Sequence, residues 1–401
     1  MSTILSRRGF LRDSALLAGA AGSLATGAPL LASARARPAP VAVPSADAPV
    51  LINANEYPGG PSPAALKAID AIAPRGGRYL AELQMEFVQT LAGQLGLPAD
   101  HVMPYAGSTE PLDYTVLSLA SPTAPVVTGN PTFEAAWGAA ARRGAQAIKV
   151  PLRADGAHDV RTMCEASPAA GMLYICNPNN PTGSLTPRAD LEYALANKPT
   201  GSVLVVDEAY IHFSDHAASM MDKVAAGEDI IILRTFSKLY GMAGIRLGYA
   251  AARPDLLKKL AYFPFNSLPV TAVAAGLASL RDPQLVPQRR ASTKAVREDT
   301  IAYLQKLGHA CTPSESNCFM VEVKRPAKDF MRDMSTWGVM VGRSWEILPN
   351  SSRITVGTAQ EMERFKQAFA AVAAGRLGPL SPPPSPMGAL DSGLARYHAF
   401  A

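Results

Sequence analysis

Cysteine is scarce in this sequence, with four in 401 residues and no C-x-x-C pair among them. So few cysteines in a chain of this length exclude a scaffold built on disulfide bonds. We expect Cys311 and Cys318 to be buried thiols. A bond between them is the alternative if the protein resides in an oxidising compartment.

Histidine is also scarce, with six in the chain. His212 and His216 have the i, i+4 spacing that suits a metal on a helix, but no third set of ligands accompanies them. Solvated or helix-capping histidines are the better interpretation, and we predict no metal site.

Excess charge of one sign is nearly absent from the body of the chain. The net charge is +5, but residues 1–37 hold five arginines against one acid, so the remainder carries about +1. The basic balance of the whole chain is therefore no argument for nucleic-acid binding, and we predict no nucleic-acid partner. The chain also has no strongly apolar span. Its longest weakly apolar run, residues 15–31, contains three glycines and Pro29 and is a poor candidate for a membrane helix.

The N-terminus instead has the pattern of a targeting segment. Residues 6–12 read SRRGFLR, the weakly apolar run follows, and Ala32-Ser33-Ala34 offers a cleavage site. The pair Arg7-Arg8 resembles a twin-arginine signal, which directs folded proteins out of the cytoplasm. We predict a cleaved signal over 1–34, a flexible leader over 35–49, export to the periplasm and no membrane contact after cleavage. An uncleaved anchor is the alternative.

The body of the chain alternates short apolar runs with helical stretches at βαβ spacing. This spacing predicts an α/β fold, with a mostly parallel sheet flanked by helices. We assign residues 61–265 to a large domain of this kind. Short strands interleaved with helices beyond residue 265 predict a small α+β domain, formed by 50–60 with 284–373. Residues 374–401 are a proline-rich tail.

Polar or aromatic residues follow strand after strand at the end where ligands bind in open α/β sheets. One such residue means little, but several on one edge describe a pocket. They are Ser108, Phe133, Asn180, Asp207, Tyr210 and Lys238.

The segment 231–253 is the most informative. An apolar run, Ile231 to Leu233, is followed by Thr235, Ser237 and Lys238, with Arg246 eight residues further on. A lysine at the exit of a buried strand is costly unless its amine is neutralised or used, and a Schiff base with a carbonyl cofactor is one use. The hydroxyls and the arginine suit a phosphate. The alternative is a surface lysine and a loop-closing arginine.

A second phosphate-binding element is predicted where Gly107-Ser108-Thr109 begins a helix. The free backbone N–H groups and the helix dipole favour an anion there. Simple N-capping by Ser108 or Thr109 explains the same residues equally well.

Seven stretches follow one another along residues 53–358. They are NANEYP (53–58), GSTE (107–110), NPTF (130–133), NPNNPTG (177–183), DEAY (207–210), TFSKLYGMAGIRLGY (235–249) and RITVGT (353–358). Together they resemble fold-type I pyridoxal-phosphate enzymes, above all histidinol-phosphate aminotransferases and their class I/II relatives. The resemblance implies an aminotransferase that uses pyridoxal 5'-phosphate, an amino donor and a 2-oxo acid acceptor, and that forms a homodimer.

The resemblance also implies roles for the cofactor-binding residues. Lys238 carries the cofactor and moves the proton, and Asp207 pairs with the pyridine nitrogen. Tyr210 and Asn180 bind the ring's 3'-oxygen, and Phe133 stacks on the ring. The implied phosphate ligands are Ser108, Thr109, Thr235, Ser237 and Arg246, joined by Tyr79 from the neighbouring subunit.

Substrate binding is expected to depend on Arg353, whose planar fork suits an α-carboxylate. Asn55 assists it, and Arg343 lies near the position of a second arginine that relatives use for a distal phosphate. The alternative for Arg353 is a surface arginine at the start of a strand. Other reactions on the same cofactor (decarboxylase, lyase or oxidase-like) and a binding protein that keeps the fold are the rival functions.

Overall fold

The computed structural model describes residues 48–263 and 267–381. The predicted signal segment, most of the leader and most of the proline-rich tail lie outside these residues. In the described part of the chain no helix has the length and apolarity to cross a membrane. The division into domains at the predicted boundaries stays a prediction.

Eleven strands are present in the described residues. In chain order they are β1 (Val50–Ile52), β2 (Val102–Tyr105), β3 (Val126–Asn130), β4 (Ala147–Pro151), β5 (Met172–Cys176), β6 (Val203–Asp207), β7 (Ile230–Thr235), β8 (Gly248–Ala251), β9 (Cys318–Glu322), β10 (Val339–Val341) and β11 (Ser351–Thr355).

The main sheet has seven strands in the order β2-β8-β7-β6-β5-β3-β4. The pairs from β4 through β7 are parallel, and β8 runs antiparallel to both of its neighbours. The predicted α/β fold with a mostly parallel sheet is therefore confirmed. Because the parallel strands end on one edge, the residues after β3, β5, β6 and β7 meet there.

Twelve α-helices surround the sheets in the described residues. They are α1 (Pro63–Ile72), α2 (Ala81–Leu95), α3 (Thr109–Leu119), α4 (Ala135–Arg143), α5 (Val160–Glu165), α6 (Arg188–Asn197), α7 (Met221–Ala225), α8 (Pro254–Leu260), α9 (Val270–Leu280), α10 (Leu285–Lys306), α11 (Ala327–Ser335) and α12 (Ala359–Ala373).

Helices cover both faces of the main sheet because its strands are apolar on both sides. Side chains alternate along a strand, so Ile230 and Ile232 of β7 join one core with α1, α2, α6 and α9. Ile231 and Leu233 of the same strand join a second core with α3, α4 and α8. A continuous apolar run is thus what a strand buried on both faces needs.

Two small sheets and a third core are formed by the N-terminal and C-terminal parts of the chain. β1 pairs parallel with β10, and β9 pairs antiparallel with β11. Apolar residues of these strands pack with α11 and α12. A capping box of Thr358 and Glu361 fixes the start of α12. The pairing of β1 with β10 brings Val50–Ile52 to the C-terminal part of the chain.

All four cysteines are free thiols. Cys176 and Cys318 are buried, whereas Cys164 and Cys311 are partly exposed. The alternative of a bond between Cys311 and Cys318 is therefore wrong, and the expectation of burial holds for Cys318 but not fully for Cys311. Cys311 lies in an isolated bridge to Val321 at the edge of β9, which leaves one side of it open.

Candidate active site

A cavity of about 240 Å³ opens at the edge of the main sheet where the parallel strands end. All of the predicted site residues line it except Tyr79 and Arg343. The predicted residues that line it are Asn55, Ser108, Thr109, Phe133, Asn180, Asp207, Tyr210, Thr235, Ser237, Lys238, Arg246 and Arg353. The structure thus brings together residues from all seven of the stretches named in the sequence.

One end of the cavity has the donors that an anion requires. Arg246 donates to the Ser237 hydroxyl at 3.0 Å and to the Ala106 carbonyl at 3.0 Å, which fixes the guanidinium beside the start of α3. Gly107 has φ +100, and a Cβ there would lie 2.2 Å from the arginine. Only glycine therefore allows the guanidinium and the helix start to approach so closely.

The hydroxyl of Ser108 makes no capping bond at the start of α3. The alternative that this residue merely caps the helix is therefore wrong for its side chain. Ser108 and Thr109 line the cavity instead. Their hydroxyls, the first N–H groups of α3 and the Arg246 guanidinium form a site suited to a phosphate.

Lys238 lines the middle of the cavity. Its amine is 3.4 Å from the Ala54 carbonyl and 5.7 Å from the centroid of the Tyr210 ring. Burial, and then the positive charge of Arg353, lower the pKa of Lys238 to about 8. The alternative of a surface lysine is wrong. With this pKa about a tenth of the amine is neutral at pH 7, and the neutral amine is the form that accepts a proton.

Asp207 stands at the end of β6, buried in the wall of the cavity. Its carboxylate accepts a hydrogen bond from the Tyr174 hydroxyl at 3.0 Å and another from the Ala209 N–H at 3.0 Å. Burial raises the pKa of Asp207 to about 6, against the opposing effect of these donors. The carboxylate is therefore ionised at neutral pH and can hold a cationic N–H group.

Three amide and hydroxyl side chains connect the middle of the cavity to Arg353. The Asn55 amide donates to the Tyr210 hydroxyl at 3.0 Å. The Asn180 oxygen accepts from Arg353 at 2.9 Å, and the second terminal nitrogen of Arg353 donates to the Asn53 carbonyl at 2.6 Å.

Arg353 is buried, so the alternative of a surface arginine is wrong. Its Nε has no hydrogen-bond partner in the described part of the chain. The guanidinium of Arg353 lines the cavity, and a buried guanidinium in such a place suits an anion.

Two predicted residues lie outside the cavity. Tyr79 is 84% exposed and lies with Gln84 and Met85 along a shallow surface depression, so it does not reach the cavity of its own chain. Arg343 forms an ion pair with Glu134 at 2.8 Å and lies 4.9 Å from the centroid of the Trp345 ring. The resemblance predicted Arg343 to lie near a distal phosphate of the substrate. In the structure the charge of Arg343 is paired with Glu134.

Two functional neighbours of Asp207 were missed by the sequence reasoning. Cys176, opposite Asp207 in the pairing of β5 with β6, lines the cavity, and Tyr174 donates to the carboxylate. Both belong to a strand that was interpreted as merely apolar. The available signal was a tyrosine and a cysteine two residues apart, which places them on one face of the strand.

Comparison with known proteins identifies the arrangement. A sequence profile of the family described as aminotransferase class I and II matches residues 48–369. The chain belongs to this family. The resemblance to fold-type I aminotransferases that the seven stretches indicated is therefore confirmed.

Several aminotransferases are similar along most of their length. Histidinol-phosphate aminotransferase of Symbiobacterium thermophilum is 38% identical over 326 residues, which cover 80% of this chain and 90% of that protein. Aromatic amino acid aminotransferase of Cutibacterium acnes is 31% identical, with 80% and 91% covered. The crystal structure of histidinol-phosphate aminotransferase from Sinorhizobium meliloti, in complex with pyridoxal-5'-phosphate, has a TM-score of 0.75 at 26% identity, with 81% and 90% covered.

The cavity of this aminotransferase fits pyridoxal phosphate, the cofactor that the family relationship supports. Asp207 is an ionised carboxylate with oxygen lone pairs to spare, which suits a protonated ring nitrogen. Lys238 supplies an amine with a lowered pKa. The cradle of Gly107 and Arg246 leaves room for a phosphate where a larger residue would close it.

Proposed function

We propose that this protein is a pyridoxal-phosphate-dependent aminotransferase of the histidinol-phosphate type, with 2-oxoglutarate as the acceptor. The observation that carries the proposal is that Lys238, Asp207, Arg246 and Arg353 line one cavity. An amine, a carboxylate and two guanidinium groups in one small space match the needs of a phosphorylated cofactor and an anionic substrate.

Each residue then has a defined task. Bound pyridoxal phosphate supplies a carbonyl for linkage to an amine and a ring that withdraws electrons. Asp207 holds the proton of the ring nitrogen. Arg246, with the hydroxyls beside it, holds the phosphate, and Phe133 covers a ring face and excludes water. The Lys238 amine accepts and returns the proton at the substrate carbon, and its pKa of about 8 suits both directions near neutral pH.

The amino donor is set by the region beyond Arg353. Relatives named for histidinol phosphate and for aromatic amino acids support a donor with a planar ring. In this chain Arg343, the expected ligand of a distal phosphate, is paired with Glu134. A phosphate-bearing donor must therefore compete with Glu134 for this arginine, whereas a neutral aromatic side chain need not.

A substrate panel on the purified holoenzyme tests the proposal. Histidinol phosphate with 2-oxoglutarate is expected to give glutamate, and aromatic amino acids are tested as the second class of amino donor. Glutamate is measured together with carbon dioxide and ammonia for each donor. Release of carbon dioxide or ammonia without glutamate would assign a different reaction on the same cofactor, and no turnover with any donor would contradict the proposal.

The Glu134–Arg343 pair gives a second prediction. In Glu134→Gln the guanidinium is released, so kcat/KM for histidinol phosphate should rise about fivefold relative to that for an aromatic amino acid, the scale of a partly exposed ion pair. Steady-state kinetics with both donors measure the ratio. Glu346→Gln is the matched control, because it removes the same charge three residues from Arg343. An equal change for both donors in Glu134→Gln would contradict the idea.

We also propose a homodimer and export through a twin-arginine signal. The exposed Tyr79 beside Met85 supports the dimer, since the family role of this tyrosine requires a second subunit. Arg7-Arg8 in residues 1–34 supports export. Sedimentation as a monomer would contradict the dimer. Export would be contradicted if the variant with Arg7→Lys and Arg8→Lys were found in the same cell fraction as the parent protein.

A further inference from the structure

Tyr174 lies directly behind the carboxylate of the candidate active site. In the parallel pair of β5 and β6, Tyr174 is opposite Val205 and Cys176 is opposite Asp207. Residues two apart on a strand share a face, so the tyrosine and the aspartate point to the same side of the sheet. The Tyr174 hydroxyl donates to Asp207 Oδ2 at 3.0 Å, and both side chains are buried.

This hydrogen bond offsets the effect of burial on the carboxylate. Removing a carboxylate from water favours its neutral form, whereas a donor aimed at it favours the charged form. Asp207 has two such donors, the Tyr174 hydroxyl on Oδ2 and the Ala209 N–H on Oδ1. The tyrosine stays a donor at any physiological pH, because burial and the neighbouring charge raise its own pKa well above 10.

We propose that Tyr174 is a positioning residue for the cofactor, whose hydroxyl keeps the Asp207 carboxylate ionised and aimed at the pyridine nitrogen. This inference rests on the proposed function. Tyr174 belongs to β5 and does not line the cavity. Its task is to fix the carboxylate of Asp207, which the ring would contact.

The other groups facing Asp207 do not replace this donor. Cys176 on β5 is a buried thiol whose pKa is raised well above 9 by burial, so it stays neutral. Glu208 is engaged by Arg234 at 2.8 Å. Lys238, after β7, acts on Asp207 through its charge and forms no hydrogen bond with it in the described residues. The Tyr210 hydroxyl is engaged by Asn55 at 3.0 Å.

The test measures the affinity of the apoenzyme for pyridoxal phosphate between pH 5.5 and 9. Tyr174→Phe should weaken binding about tenfold at pH 7, the scale of a hydrogen bond to a charged group. It should also move the acid limb of the affinity profile upward by about one pH unit, because Asp207 then becomes protonated at higher pH. Tyr105→Phe is the matched control, since Tyr105 is also buried but bonds to Met103 instead.

A merely structural role would give a different result. It would lower affinity by the same factor at every pH, and a profile parallel to that of the wild type would overturn the proposal. Wild-type protein that binds no pyridoxal phosphate would instead contradict the proposed function.

A double-mutant cycle with Asp207→Asn separates the loss of this hydrogen bond from a general disturbance of the structure by Tyr174→Phe. Without a carboxylate to hold ionised, the double variant should bind pyridoxal phosphate within about twofold of Asp207→Asn alone. A loss as large as in the wild-type background would overturn the proposal.

Discussion

Replacing Lys238 by methionine should abolish transamination. The side chain keeps nearly the same length but loses the amine that lines the cavity between Asp207 and Arg353. Proton transfer by a positioned group contributes up to about 10⁴-fold to a rate, and this lysine is also the proposed point of attachment. We therefore expect kcat to fall by roughly 10⁴-fold or more. Steady-state turnover and single-turnover kinetics measure the loss.

The same substitution should stabilise the apoprotein. The pKa of Lys238 falls from 10.5 in the unfolded chain to about 8 in the folded one. Between pH 8 and 10.5 the folded state therefore binds fewer protons than the unfolded state, and stability rises with pH. The destabilisation by the buried charge is at its full value below pH 8 and disappears as the pH rises towards 10.5. Lys238→Met should raise the free energy of unfolding by about 1–2 kcal/mol at pH 7, with a smaller gain at pH 10.

Lys366→Met is the control for both effects. Lys366 is a buried lysine, but it is paired with Asp299 at 2.8 Å and lies outside the cavity lining. Its loss should lower stability slightly and leave turnover unchanged. Turnover by Lys238→Met at a rate near that of the wild type would remove the basis of the enzyme assignment.

Most of the cavity could be predicted because it follows from strand order. Parallel strands end on one edge of the sheet, so the polar residues that follow the apolar runs come together there. This does not depend on the details of the helices between the strands. Asp207 as the last residue of β6 and Lys238 after β7 are examples, and neither position depends on a particular side-chain conformation. The role of Arg353 could be predicted because its stretch resembles the family. Its burial could not, because the start of a predicted strand gives no sign of burial.

The missed features depend on contacts between distant residues. Glu134 and Arg343 are far apart in the chain, and nothing in either local pattern indicates that they pair. Tyr174 belongs to a run that a buried strand explains completely, so its hydroxyl gave no separate signal. Burial of Arg353 comes from the pairing of β11 with β9 and from contacts to Asn53 and Asn180, which local periodicity does not reveal.

Replacing Arg353 by lysine should reduce kcat/KM for 2-oxoglutarate by about 10²–10³-fold. The substitution keeps the positive charge but removes the planar fork that binds a carboxylate through two parallel hydrogen bonds. Arg353 is 1% exposed, so the lost bonds lie in a water-poor site where each is worth more than at a surface. The loss should appear mainly in KM for the oxo acid, and kinetics at saturating amino donor measure it.

Arg297→Lys separates this effect from a general loss of packing. Arg297 is 2% exposed and donates to the Ser316 carbonyl at 2.9 Å, but it does not line the cavity. Both substitutions exchange a buried guanidinium for an ammonium, so comparable changes in the free energy of unfolding are expected. If Arg297→Lys raised KM for 2-oxoglutarate as much as Arg353→Lys, carboxylate binding could not be assigned to Arg353, because a buried arginine outside the cavity would have had the same effect.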